Sequence, residues 1–432
     1  MRRRVVISLK TKPLTKLDAL INAKNDAAQF MIDDITKICK TMPKRDPGSE
    51  GEKQVCEYFE KICMEEYDCT EAHIEQFKEN PMSFFGWMWI TFTMTIIAAV
   101  LCFFQVKALS VVAVVLTTLG WLLALLQFGI YLPIVDWVFP EKTGHNMWAV
   151  KKPKGEVKAR VLFNGHCDAV WEWPVNYALG GVGFEGHIVI SALGTLYYLA
   201  IAIMHLAGAD AQLLHTMSMW GIIFLPFEFG MFFMWSWWDP KKDKRHIVDG
   251  ANDNLSGCYI GLAILKQLKE QGIELENTEV GVVITGSEEA GIRGARAWSN
   301  AHLHDFDDVP TYIYSYDTIF DPKYLMANYR DLNGTMKTDK ALNDLFMQSA
   351  GELGIHCIHG WVPPLGGSTD TAAFTKAGFR AGGVTGLNHK LENYYHTRRD
   401  TYDNMNKQGL ADCYAVSCKV LEHVENGDME GK

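Results

Sequence analysis

Arg160-Val-Leu-Phe-Asn-Gly-His-Cys-Asp168 is a short apolar run that ends in an imidazole and a carboxylate. Ala159–Phe163 reads as a short β-rich run. Two other stretches repeat the arrangement: Val282-Val-Ile-Thr leads into Gly286-Ser-Glu-Glu-Ala-Gly291, and Tyr312-Ile-Tyr-Ser-Tyr leads into Asp317. Helical runs lie among them, over Ser256–Glu270 and Gly294–Ala301. Strands alternating with helices predict βαβ units, hence an α/β class with a mostly parallel or mixed sheet flanked by helices. Ligands of such sheets collect outside the carboxyl ends of the strands. Three chemically loaded strand ends are therefore expected to converge. Gly250-Ala-Asn-Asp-Asn-Leu-Ser-Gly257, a loop opening a helix, and Tyr395-His-Thr-Arg-Arg-Asp-Thr401 supply further polar groups.

The polar sequence is interrupted by four apolar stretches. Ser83–Phe104, Ala108–Val135 and Ile188–Ala209 carry no charge, and Leu213–Trp238 carries only Glu228. A hydrocarbon core of ~30 Å needs about 20 apolar residues in a helix, so each is long enough to span a bilayer. Trp87, Trp89, Tyr131, Trp137, Trp235, Trp237 and Trp238 stand near their ends, as interfacial aromatics do. The turns at Gln105–Lys107 and Asp210–Gln212 are short, so the stretches read as two hairpins. The other flanks carry Lys142, Lys151, Lys152, Lys154, Lys241, Lys242, Lys244 and Arg245, against Lys107 alone on the far side. That bias predicts an integral, multi-pass protein with its polar bulk on the cytoplasmic side. Glu228 is either functional or a structural bond within the bundle.

The expected organisation is 1–82 as the helical start of a catalytic domain, 83–135 as a first hairpin, 136–187 with the first polar motif, 188–238 as a second hairpin, and 239–432 with the remaining motifs. Within the first piece, Leu17, Leu20, Ile21, Ala28, Phe30, Met31 and Ile35 recur at helical spacing, and Asp46-Pro-Gly-Ser-Glu-Gly51 reads as a turn and cap before a helix over Glu52–Glu65. The 432-residue length suggests two to three domains. With 48% apolar and 21% charged residues the chain is not disordered. The net charge of −10 makes nucleic acid an unsuitable partner. Ten cysteines without a Cys-x-x-Cys pair argue against a zinc ribbon, and reduced thiols are expected. The start, MRRRVVISLKTKPLTK, is basic but has no long apolar region behind it, so no signal peptide is expected.

Taken in order, the five polar motifs from His166 to Thr401 resemble the di-zinc aminopeptidase family, which includes bacterial leucyl aminopeptidases, glutamate carboxypeptidase II and the single-zinc glutaminyl cyclases. The hairpins are not part of that resemblance. It implies two co-catalytic Zn²⁺ ions. His166 and Asp317 would hold one, Glu289 and His396 the other, and Asp253 would bridge them. Glu288 would be the general base, and Asp168 would orient the His166 ring. The chemistry of the residues agrees. Two cations a few ångströms apart need a shared anion, and adjacent glutamates let one bind metal while its neighbour takes a proton. An acidic loop tip is ordinarily just solvated, and a lone histidine is ordinarily structural. All of these groups together, in ordered spacing with balanced charge, are not explained that way. His187, His205, His215, His246, His356, His359 and His389 match no position of the pattern, and Cys167 reads as packing into the sheet.

Pro364-Leu-Gly-Gly-Ser-Thr-Asp370 resembles the family's pocket-lining Ser-Asp loop, which gives Gly366, Gly367 and Asp370 as substrate-binding residues. Some family members carry a tyrosine just before this loop to stabilise the oxyanion. Here that stretch is Gly366-Gly367, so help must come from zinc, a backbone N–H or another side chain. Arg398 and Arg399 are candidates for binding a free carboxylate, with plain surface charge as the alternative. The expected function is a membrane-anchored zinc exopeptidase, most simply an aminopeptidase. Its partners would be a peptide or acyl-peptide substrate and the lipid bilayer. The competing readings are a zinc amidohydrolase of N-acyl amino acids or lipopeptides, a cyclase, and a metal-free receptor-like homologue. The intact His166 and Asp317 set speaks against a one-zinc cyclase, and the absence of any replaced ligand speaks against the receptor.

Overall fold

The computed structural model describes residues 17–235, 246–388 and 392–429. Trp237, Trp238, Lys241, Lys242, Lys244, Arg245 and His389 lie outside them. In chain order the strands are β1 (Glu71–Glu79), β2 (Lys142–Lys151), β3 (Ala159–His166), β4 (Thr278–Thr285), β5 (Thr311–Ile319), β6 (Met326–Asn328), β7 (Arg330–Asp331), β8 (Met336–Lys337), β9 (Ile358–Gly360) and β10 (Arg380–Gly386). β7 and β8 form a ribbon of their own, and the other eight form one sheet in the order β1-β2-β4-β3-β5-β10-β6-β9. The centre, β4-β3-β5-β10, is parallel, whereas β1-β2, β2-β4 and β10-β6 pair antiparallel. The sheet is therefore mixed, with the expected parallel core.

The residue pattern explains the arrangement. Every residue of β4 is buried, and so is all of β3 beyond Ala159, because helices cover both faces. One face packs on the helices Lys24–Thr41, Glu50–Glu65, Ser256–Glu270 and Lys407–Glu425 through Ile35, Phe59, Ile264 and Val416. Ser49 caps the second of these by accepting from the Glu52 N–H at 3.2 Å. The opposite face buries Leu162, Val283 and Ile313 against Trp298 and Phe374, and against Phe84, Phe85 and Trp235 at the ends of the apolar segments. The hairpins thus share a core with the sheet.

Four helices are long and apolar enough to cross a membrane by length and composition: Ser83–Phe103, Lys107–Gly129, Pro174–Leu206 and Ala211–Phe233. The third starts well before Ile188 and is broken at Gly180, whose φ of 69° leaves the helical region. Small and hydroxylated residues let the helices approach closely. Ala98, Ala99 and Ala113 are buried there, Thr95 meets Thr195 at 3.3 Å, and Thr91 donates to the Gly120 carbonyl at 3.3 Å. Gln105 joins the two far turns through the Ala211 carbonyl at 3.1 Å. At the other end, Arg293 forms a bidentate pair with Asp136, both contacts at 2.8 Å, and reaches Ser83 at 3.0 Å. Glu228 is fully buried, and among the described residues neither of its carboxylate oxygens has a hydrogen-bond partner.

Candidate active site

His166 is the last residue of β3, Asp317 stands near the end of β5, and Glu288 and Glu289 follow β4. Parallel β3, β4 and β5 end together, so these side chains share one rim of the sheet. Asp253 reaches the same place on the loop that opens the Ser256–Glu270 helix, and His396 arrives from the carboxyl-terminal loop. His166, Asp253, Glu288, Glu289 and His396 are all buried.

Asp253 lies between the two imidazoles. Its Oδ1 is 3.3 Å from His166 Nε2, and its Oδ2 is 2.9 Å from His396 Nε2. Glu289 Oε1 lies 3.2 Å from His396 Nε2, and Glu288 Oε2 lies 3.8 Å from His166 Nε2. The donor atoms of His166, Asp253 and Glu289 fall within 4.8 Å of one another. Asp317 is close enough for its charge to act on the carboxyl of Glu288, while Asp253, His166 and Glu289 act on its own.

The charges are strongly coupled. Burial pushes the Asp317 carboxyl up to about 7, and the Asp253 charge adds to the rise. Burial also lifts Glu288 well above the usual carboxylate range, against the pull of His166. Burial opposes ionisation of Asp253 as well, yet the facing imidazoles hold it below that range. His396 is driven the other way: burial alone would lower it, but Glu289 and Asp253 hold it at about 10. Five carboxylates, counting Asp168, thus crowd two imidazoles in a space with little water. Excess buried negative charge of this kind calls for cations.

The donor set fits a transition metal. His166 Nε2, Asp253 Oδ2 and Glu289 Oε1 are buried and, among the described residues, face only one another and His396 Nε2 rather than well-aligned hydrogen-bond partners. Unpaired buried polar atoms cost several kcal/mol in total, at roughly 1–3 kcal/mol each, unless a ligand takes them up. Imidazole nitrogen mixed with carboxylate oxygen is a zinc-type combination.

Other residues set this geometry. Asp168 lies 3.3 Å from His166 Nδ1 and accepts the N–H groups of Glu288 at 3.0 Å and Glu289 at 3.1 Å. One carboxylate therefore aims both a ring and the paired glutamates. Asp400, which sequence reasoning did not single out, accepts from the N–H of Asn252 at 2.8 Å and of Asp253 at 3.1 Å. Arg45, also unanticipated, is buried and donates to the Cys167 carbonyl at 2.7 Å and the Gly250 carbonyl at 3.1 Å. Cys167 is fully buried 3.7 Å from Cys56, as a packing residue would be.

The Gly366–Asp370 segment lies over the same rim. Asp370 is buried and accepts from Thr285 Oγ1 at the end of β4. Gly367 bonds to Asn333 through both backbone groups, at 3.1 Å and 2.7 Å. Asp331 anchors the loop by accepting from Thr369 Oγ1 at 2.6 Å and Ser368 Oγ at 3.0 Å. Arg398 is engaged rather than free: its guanidinium meets buried Glu172 at 2.6 Å through two nitrogens. The second hairpin touches the site directly. Trp173 donates its N–H to the His396 carbonyl at 2.8 Å, and its ring lies edge-on to the imidazole at 4.2 Å.

Residues 234–421 match peptidase family M28. No curated relative matches the chain. Among solved structures, the fold resembles an aminopeptidase from Aneurinibacillus sp. strain AM-1, with a TM-score of 0.54, 13% identity and coverage of 94% of this chain and 95% of that one. It also resembles a glutaminyl cyclase of Porphyromonas gingivalis, with a TM-score of 0.52, 12% identity and coverage of 93% and 98%. A zinc aminopeptidase from Bacillus subtilis gives 0.52, 12%, 92% and 95%. At such identities the likeness speaks for the fold.

Proposed function

We propose, for a zinc-dependent metallopeptidase whose residues 234–421 carry a peptidase family M28 domain, that it is a membrane-anchored aminopeptidase with a two-zinc centre. The observation that carries the reading is the position of Asp253, whose two oxygens face the Nε2 atoms of two different histidines. A carboxylate so placed is suited to being shared. His166 and Asp317 would hold one ion, Glu289 and His396 the other, and Asp168 would orient His166. Zinc bound there supplies a water acidic enough to ionise near neutral pH and a Lewis acid for the scissile carbonyl.

The chain's own residues do the rest. Glu288, with Oε2 3.8 Å from His166 Nε2, is left free when its neighbour Glu289 binds metal. It takes the water's proton and returns it to the departing amine, so its carboxyl is the acid of the second half of the reaction. Its raised pKa suits that return. Asp370, Gly366 and Gly367 would contact substrate. Exchanging Glu288 for Gln should leave zinc content unchanged and lower kcat by about 10²–10⁴-fold. Elemental analysis and steady-state kinetics on detergent-solubilised protein test this, and near-normal turnover would refute the base.

The four apolar helices support membrane anchoring, and the Lys and Arg excess on their near-side flanks supports a cytoplasmic catalytic part. One observation favours a second reading, a zinc amidohydrolase of N-acyl amino acids or lipopeptides. Trp173, at the head of the second hairpin, lies against His396, so the reacting centre adjoins the apolar segments. A peptide assayed with a free amine, a blocked amine and a fatty-acyl amine separates the two. Aminopeptidase action requires the free amine, and an amidohydrolase prefers the acylated form.

A further inference from the structure

Tyr131 follows the first hairpin and lies outside every motif of the catalytic domain. It is 7% exposed and packs against the rings of Phe84 and Phe128, with centroids 4.9 Å and 6.2 Å away. Its backbone is held in the left-handed region, φ 58°, which a residue with a side chain adopts at a cost. Arg296 pins it there by donating to the Tyr131 carbonyl at 2.6 Å. A residue fixed this firmly presents its hydroxyl in one direction.

That direction is the Gly366-Gly367 turn. A β-carbon placed on Gly367 would lie 3.3 Å from the Tyr131 hydroxyl oxygen, so the phenol ends against the Gly366-Gly367 turn. The glycine leaves the oxygen its room. Beyond burial, the charges acting on the phenol are those of Glu288, Asp331 and Glu289, and the Ser368 backbone N–H acts in the opposite sense. All raise the cost of losing the proton except that N–H. The hydroxyl is therefore a neutral donor, within reach of the charges of Glu288 and Glu289.

Amide cleavage is helped, beside any metal, by such a donor where the carbonyl oxygen gains charge. The turn at 366–367 is glycine, and Arg398 is committed to Glu172. On the peptidase reading above, we propose that Tyr131, carried in on the first apolar hairpin, donates its hydroxyl hydrogen bond to the substrate carbonyl oxygen as that centre becomes tetrahedral. No bond to the phenol forms or breaks, and its proton stays in place throughout.

The test is Tyr131→Phe in the full, zinc-loaded, detergent-solubilised chain. kcat should fall by about 10²–10³-fold with KM changed by less than about threefold. Affinity for a phosphinic peptide, which mimics the tetrahedral centre, should fall in step with kcat/KM, while product affinity and zinc content stay as they were. A merely structural phenol would weaken product and phosphinate alike, and that result overturns the proposal, as does a kcat within threefold of the parent. If the Phe variant does not fold, 3-fluorotyrosine at 131 decides. It keeps the shape and makes the hydroxyl more acidic, so kcat should change with product affinity constant, and an unchanged kcat refutes the idea. A parent chain inactive on every amide would sink the peptidase reading together with this one, whereas an active parent with an equally active Phe variant sinks this one alone.

Discussion

Asp400 is fully buried behind the loop that carries Asp253, the aspartate proposed to be shared, and holds that loop in place. By accepting the N–H groups of Asn252 and Asp253 it fixes two successive peptides of the loop, and it also accepts from the Asn252 side chain at 2.9 Å. Asp400→Asn keeps an oxygen but loses the charge and one acceptor. Zinc affinity should fall about 10–100-fold, the usual consequence of disturbing a group behind the ligands. Competition with a chelator measures it, and Glu288→Gln in the same assay should bind as tightly as the parent. The difference between these residues also marks what could be read in advance. His166, Asp253, Glu288, Glu289 and Asp317 stand at loop tips after recognisable strands or before a recognisable helix, so their types and positions are visible in a linear text. Asp400 and Arg45 act on backbone groups more than 120 residues away, and no local pattern signals that.

The same distinction holds for elements. β3, β4 and β5 are buried runs of apolar residues and are legible as strands. β1 and β2, at the sheet edge, mix charged and apolar residues, and β1 is only partly buried. Their identity comes from pairing, which the sequence does not display. The carboxyl end of β1 and the Glu50–Glu65 helix meet beneath the turn that bears Glu288. There Ser287 Oγ contacts Glu52 Oε2 at 2.7 Å and Glu79 Oε1 at 2.6 Å. One hydroxyl proton cannot serve two carboxylates, so one of the pair holds a proton of its own. Burial pushes Glu52 up to about 8, helped by Asp168, and pushes Glu79 up to about 9, helped by Glu52. Because both values lie above the ordinary carboxylate pKa, the folded chain binds more protons than the unfolded one. This contribution to stability is complete below about pH 4 and is lost as pH rises through about 8 and 9. Melting temperature should therefore drop across the alkaline side of neutrality, and Glu79→Gln, which carries no titrating proton, should flatten that drop. Thermal melts from pH 6 to about 9.5 check the slope.

On the scale of the whole molecule, the question is which side of a bilayer holds the sheet. Ala207, at the far turn of the second hairpin, and Glu156, on the loop between β2 and β3, are exposed and lie at opposite ends of the proposed topology. A cysteine replacing Ala207 should react with an impermeant maleimide added outside intact cells, and one replacing Glu156 only after permeabilisation, each against the parent chain's own labelling. The reverse pattern would invert the topology. The four apolar runs were plain in the sequence because their lengths suffice, but their attachment was not. Arg293 clasps Asp136 and Ser83, Arg296 holds the Tyr131 carbonyl, and Phe84 and Phe85 lie in the core beneath the sheet. Trimming the apolar segments, the customary way to obtain a water-soluble fragment, would here take Phe84 and Phe85 out of the core beneath the sheet and leave Arg293 without Ser83 and Arg296 without the Tyr131 carbonyl. On the membrane-anchored reading, a preparation should therefore keep its detergent belt or lipid disc from the first extraction to the last assay.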